Sequence, residues 1–307
     1  MTIVNALFPV LALLLFGVAL KRSNITDSGF LRTSDRLIYY VFFPVMLFWK
    51  IGGAPLAFAD GWRYLAASAA AVAGVFVASL VFIRLRPVGA YQAGSFSQGC
   101  YRFNTYIGMA VVLNALGEEG ARLYGILVGL LIPLINVMAV SVLIWYGESQ
   151  PRGNGRRLLV TGRHLVANPL ILGCVCGMAW GHLVGSFPVW LDNTLRLIAQ
   201  VTLPMALFSI GGSLTFAGLR ANLGLALASS VLKLALLPVL GLLCLYLFGV
   251  TGTAWSVSML FFALTASTDI YILGSQLRSD LELASAVIVL STLLSFVSMS
   301  LVLLVAA

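Results

Sequence analysis

The sequence predicts an all-α integral membrane protein of ten transmembrane helices, arranged as two inverted five-helix halves. Three observations predict it. Apolar residues make up 61% of the 307 residues and charged ones only 9%. Ten apolar runs follow one another with short breaks, and a motif of the second run recurs 160 residues later. An ordinary soluble domain carries roughly 45–50% apolar and about 25% charged residues. At about 20 residues per crossing, ten helices use some two-thirds of the chain and leave only short loops. The net charge of +8 does not point to nucleic acid, because the basic residues sit in short interhelical loops and form no basic face.

The runs fall at about 3–20, 37–56, 62–83, 91–116, 121–146, 165–184, 188–215, 222–248, 253–275 and 282–306. The first has no basic residue before it and is followed by Lys21-Arg22. That order reverses a secretory signal, so the run reads as a retained first helix. The polar stretch from Gly147 to His164 divides the chain into a first five-helix repeat (1–147), a linker (148–164) and a second repeat (165–307). Loops after the odd-numbered runs hold twelve Lys and Arg, among them Lys21, Arg84, Arg156 and Arg220. Loops on the other side hold four: Lys50, Arg63, Arg122 and Arg196. Positive charge marks the cytoplasmic side, which places the linker in the cytoplasm and both termini outside.

The repeat is visible in two places. Arg36 to Phe48 recurs as Arg196 to Phe208 with seven of thirteen positions identical, including Pro44 and Pro204, and each copy soon reaches a glycine pair. Both prolines read as scaffold kinks. Asn104-Thr105-Tyr106-Ile107 is echoed by Asp269-Ile270-Tyr271-Ile272. Each half holds an odd number of helices, so the second copy enters the membrane from the opposite face. Inverted repeats recur in secondary transporters, whose sites lie near mid-membrane where discontinuous helices meet.

Arg102, Lys233 and Asp269 are the charged side chains well inside predicted spans. Each opposes insertion by roughly 2.5–3.5 kcal/mol at a helix centre unless it is paired or hydrated. Runs four and nine are also dense in Gly, Ser, Thr and Asn, which weaken a helix and offer an unwound backbone other hydrogen bonds. Such backbone persists at membrane depth only where protein or water surrounds it. Two broken, crossing helices would aim their N-terminal ends at a bound anion. The candidate substrate-binding residues are therefore Arg102, Asn104, Thr105, Tyr106, Ser267, Thr268, Asp269, Tyr271 and Lys233. For Arg102 two readings stay open, a contact to substrate carboxylate or a buried partner of Asp269. Asp269 reads either as that partner or as a proton acceptor that couples transport. Lys233 reads as lining the cavity or as reaching toward an interface.

Arg102 to Gly108 resembles the fourth-helix signature of the auxin efflux carrier family, the bacterial relatives of the plant PIN proteins. Thr265 to Gly274 resembles the ninth. The resemblance covers essentially the whole chain and implies a sodium/bile-acid-symporter-like fold. Helices one, two, six and seven would form a scaffold, and the other six a mobile unit. It also implies a secondary carrier for small organic anions (malonate, malate or auxin-like weak acids) in a bacterial inner membrane. One departure stands out: Ala263 to Leu277 contains no proline, so the ninth-helix bend must come from Ser, Thr and Asp hydrogen bonding or be milder.

The partners expected are an organic anion, protons, the lipid bilayer and a second copy of the chain, with no nucleic acid. No metal or cofactor is expected, since the four cysteines lie in apolar runs without ligand spacing. The rival class is an intramembrane enzyme. It lacks an aspartate-rich metal motif, a mid-depth His and a Ser–His pair. A channel or receptor is the other alternative, whereas an ATP-driven pump would need a nucleotide-binding loop.

Overall fold

The computed structural model describes residues 2–53, 61–146, 169–213, 218–270, 273–274 and 278–306. The helices in chain order are α1 (Thr2–Arg22), α2 (Ser28–Leu37), α3 (Phe43–Gly52), α4 (Gly61–Leu85), α5 (Ala90–Tyr101), α6 (Thr105–Tyr146), α7 (Pro169–Leu183), α8 (Val189–Ser213), α9 (Leu223–Val231), α10 (Leu237–Leu247), α11 (Gly252–Phe262) and α12 (Leu281–Ala306). No strand occurs among the described residues. Among the described residues five stretches are long and apolar enough to cross a membrane: Trp62–Leu85, Ala90–Leu143, Val189–Ser213, Leu223–Leu247 and Leu281–Val305. The linker expected at 148–164 lies outside the described residues.

Two π turns carry a common cause. Ile38–Phe42 and Leu232–Leu236 each end two residues before a proline, Pro44 and Pro238. A proline has no amide to donate and its ring crowds the carbonyl four residues back. Widening the turn relieves both: Phe43 N–H donates to Ile38 O and Leu237 N–H to Leu232 O, five residues back. Pro204, by contrast, lies within α8, which runs on from Val189 to Ser213. The two prolines of the sequence repeat thus differ in setting, one just after a π turn and the other inside an unbroken helix.

The chain divides into two compact units, each drawing on both sequence halves. The first comprises Met1–Trp62, Met109–Ile132 and His164–Leu214. Here α1 packs on α8, and α3 packs on α7. Glycine lets the backbones touch, as small residues do wherever membrane helices pack closely. A Cβ on Gly17 would run into the Phe208 carbonyl, and one on Gly211 into the Leu14 carbonyl. At the other crossing a Cβ on Gly177 would stand 3.0 Å from the Phe48 carbonyl oxygen. Gly17 and Gly177, like Phe48 and Phe208, are 160 positions apart, so the two crossings use the same pair of positions with the roles exchanged. Polar anchors add specificity: Trp49 Nε1 donates to Asp192 at 2.7 Å, and the Ser209 hydroxyl to Asp35 at 2.6 Å. Lys50 pairs with Glu118, next to Gly117, whose φ of 66° interrupts α6. Sequence reading ends its fourth run at 116 and starts the fifth at 121, either side of that glycine.

The second unit comprises Arg63–Gly108, Pro133–Arg163 and Thr215–Ala307. In it α5 packs on α9, on the π turn Leu232–Leu236 and on α12. Gly99 of α5 faces Ser229 and Val287, and Gly241 of α10 faces the Phe262 ring, each too closely for a side chain. Ser95 of α5 donates to the Asp280 carbonyl at 2.7 Å, and Ser279 to the Tyr91 carbonyl at 3.0 Å. These hydroxyls join the start of α5 to the start of α12.

Candidate functional site

The second unit holds two interruptions in otherwise apolar helices, at the places where the sequence is densest in polar residues. The first separates α5 from α6. Arg102 leaves the helix with an extended backbone (φ −65°, ψ 146°), and α6 begins at Thr105. Asn104 explains why a helix can restart there. Its Oδ1 accepts from the amides of Tyr106 and Ile107, both at 3.1 Å, satisfying donors that a helix start leaves open. The second interruption follows α11. Residues 264–267 are non-helical, and helix resumes at Asp269. With no proline present, the turn is held as the composition requires: Ser267 Oγ accepts from the Asp269 amide at 3.2 Å.

The two interruptions meet. The Asn104 amide donates to the Thr265 carbonyl at 3.0 Å. Thr265 is itself held by hydroxyls of α12, Ser291 at 3.1 Å and Thr292 at 2.9 Å, and Ser291 also accepts from the Ala266 amide at 3.1 Å. Unwound backbone in a buried apolar setting is thus paid for by hydroxyls placed beside it.

Arg102 is 5% exposed. Its Nη1 donates to Gln98 Oε1 at 3.0 Å and its Nη2 to Asn136 Oδ1. Both acceptors are neutral amides, and no carboxylate pairs with Arg102 among the described residues. The pairing with Asp269 that the sequence left open is not formed. Asp269 is half-buried, as are Thr268 and Tyr106, while Asn104, Thr105 and Ser267 are buried. Tyr271 lies outside the described residues.

Lys233 is fully buried in the π turn Leu232–Leu236. Its Nζ lies over the Phe261 ring, 5.8 Å from the centroid, and Phe261 is edge-on to Phe103 at 4.4 Å. Lys233 and Arg102 share no partner. Sequence reasoning misses Asn136, whose signal is a lone amide in the apolar run 121–146, and the α12 hydroxyls, whose signal is the adjacent pair Ser291-Thr292 in the last run. Among the described residues no three His, Cys, Asp or Glu side chains converge as a metal site would require.

Residues 2–303 match the family model described as "Membrane transport protein". A protein of Rhizobium meliloti (strain 1021) named "Putative malonate transporter" is 28% identical over 278 residues, spanning 87% of this chain and 83% of that one. Together with the polar interruptions at Arg102–Asn104 and Thr265–Ser267, the match makes the chain a multi-pass membrane protein of this transport family, the auxin efflux carrier family that its fourth and ninth runs resemble.

Proposed function

We propose that the protein is a secondary carrier of small carboxylates that binds its anion at the meeting of the two interruptions. The observation that carries this reading is the state of Arg102: a buried guanidinium held by two neutral amides, with no carboxylate to balance it among the described residues. A guanidinium offers five donors in a fixed fork, and only two are used here. A carboxylate is the ligand that matches both the spare donors and the spare charge. The N-terminal end of α6, capped by Asn104, adds positive potential beside it. The relative named for malonate supports a dicarboxylate as the first substrate to test.

In this reading the chain crosses a bacterial inner membrane ten times as two inverted five-helix repeats (1–147 and 165–307), joined by the cytoplasmic linker 148–164, with both termini outside. The exchanged contacts of Gly17 with Phe208 and of Gly177 with Phe48 support that symmetry. The stretch Ala90–Leu143 supports the count, since its 54 residues far exceed the roughly 20 that one crossing needs and are interrupted at Arg102–Asn104 and at Gly117. Alternating access moves the interruptions and their anion between the two faces. Thr105, Tyr106, Ser267 and Thr268 complete the polar surround, and Asp269, without a cation partner among the described residues, carries the coupled proton. A pair of chains in the membrane is the expected assembly.

The test uses purified protein and proteoliposomes. Malonate raises the unfolding temperature of the wild type and is taken up saturably, while folded Arg102→Ala does neither. Unchanged binding and uptake by Arg102→Ala would remove the anion site from this position.

A further inference from the structure

Lys233 is, with Arg102, a buried cation among the described residues of this unit. Its ammonium is 0% exposed and has no hydrogen-bond partner among the described residues. A bare ammonium in so apolar a setting needs negative potential close by. No carboxylate among the described residues supplies it. The π turn packs against α5 and α12 and continues into α9 and α10, and the single acid on those four helices is Glu282. Leu234 of the π turn accepts from Ser298. Ser298 lies sixteen residues beyond Glu282, about 24 Å along a helix. The titratable group on α5 that faces Lys233 is the Cys100 thiol, which donates to the Phe96 carbonyl at 3.2 Å.

What does lie there is the carbonyl end of two helices. Helix α5 ends at Tyr101 and α11 at Phe262. The π turn packs on α5, and the Cys100 thiol, in the last turn of α5, donates to the Ser229 hydroxyl at 3.6 Å, four residues before Lys233. Lys233 Nζ lies over Phe261, in the last turn of α11. A helix C-terminus carries roughly half a negative elementary charge, so two of them offer about the one charge that an ammonium balances. The face of the Phe261 ring adds to the attraction.

We propose that Lys233 is the fixed cation of the crossing, a positioning residue whose charge holds the carbonyl ends of α5 and α11 together where two such ends would otherwise call for a bound metal cation. Because the charge is built in, transport needs no alkali cation. The uptake arm of the test rests on the carrier reading, whereas the stability arm does not.

Wild-type malonate uptake is compared in sodium, potassium and choline buffers, and is expected to agree within about twofold. Lys233→Met, close in length and uncharged, lowers uptake by about tenfold or more while eluting as folded protein. Lys233→Ala leaves room for a small amine, so methylammonium raises its unfolding temperature by about 2–4 °C and restores uptake, whereas tetramethylammonium does not and the wild type does not respond. The proposal is overturned by wild-type uptake that stops when sodium is replaced by choline. It is equally overturned by Lys233→Met uptake within twofold of wild type, or by a folded Lys233→Ala that methylammonium fails to stabilise. If the wild type neither binds nor moves malonate in any buffer, the carrier reading falls, and the methylammonium stability measurement decides the role of Lys233 alone.

Discussion

The amide of Asn104 donates to the carbonyl of Thr265 across a sequence separation that no local preference can bridge, at 3.0 Å. The bond ties the restart of α6 to the non-helical stretch after α11. Each interruption satisfies backbone of the other, so neither is stable in an apolar medium without its counterpart.

Asn104 is therefore both a cap and a joint. Asn104→Ala removes the acceptor for the Tyr106 and Ile107 amides and is expected to cost about 0.5–2 kcal/mol, read as a lower unfolding temperature in detergent. Asn104→Asp keeps the cap and the stability. It sets a carboxylate beside the proposed anion, so malonate affinity should fall while the fold holds.

Asn136 offers a sharper test of what Arg102 is for. Asn136→Asp puts a carboxylate on the guanidinium at the same reach. An internal carboxylate then occupies the charge that substrate would use. The expected outcome is unchanged or raised thermal stability together with malonate binding weakened about tenfold or more. Equal affinity for malonate in the two proteins would show that the anion does not meet Arg102.

The glycine crossings predict opposite signs for one kind of substitution. Gly17→Ala drives a methyl into the Phe208 carbonyl and Gly211→Ala into the Leu14 carbonyl. Backbone must move, at a cost of about 1–3 kcal/mol. Gly224 in α9 has nothing within 4 Å of the Cβ position, so Gly224→Ala is expected to be neutral or to stabilise by about 0.5–1 kcal/mol. Unfolding temperatures of the three variants check both.

Asp269 is half-buried and has no cation partner among the described residues. If it carries the coupled proton, Asp269→Asn still binds malonate, yet its uptake no longer responds to an imposed pH gradient. A wild-type carrier indifferent to that gradient would end the proton role.

Much was legible from composition and spacing because the bilayer constrains a chain so strongly. A helical membrane protein follows from the apolar content, since a backbone in lipid must bond to itself. The interruptions follow from the crowding of Gly, Ser, Thr and Asn around Arg102 and Asp269, because those residues stabilise unwound backbone as readily as helix. The 160-residue echo marked Pro44 and Pro204 but could not show that one is preceded by a π turn and the other is not. That depends on what packs against each helix.

Partners were the other blind spot. From the sequence Arg102 meets either a substrate carboxylate or Asp269, whereas the fold brings Gln98 and Asn136 to the guanidinium and leaves Asp269 without a cation partner among the described residues. From the sequence Lys233 lines the cavity or reaches toward an interface, and the fold sets it over Phe261, in the last turn of α11. By itself, then, the sequence determined that this chain is helical and membrane-embedded, since those properties depend on local composition and the solvent. Only the tertiary structure decided which groups face the two buried cations, because a pairing between distant segments depends on how the helices cross.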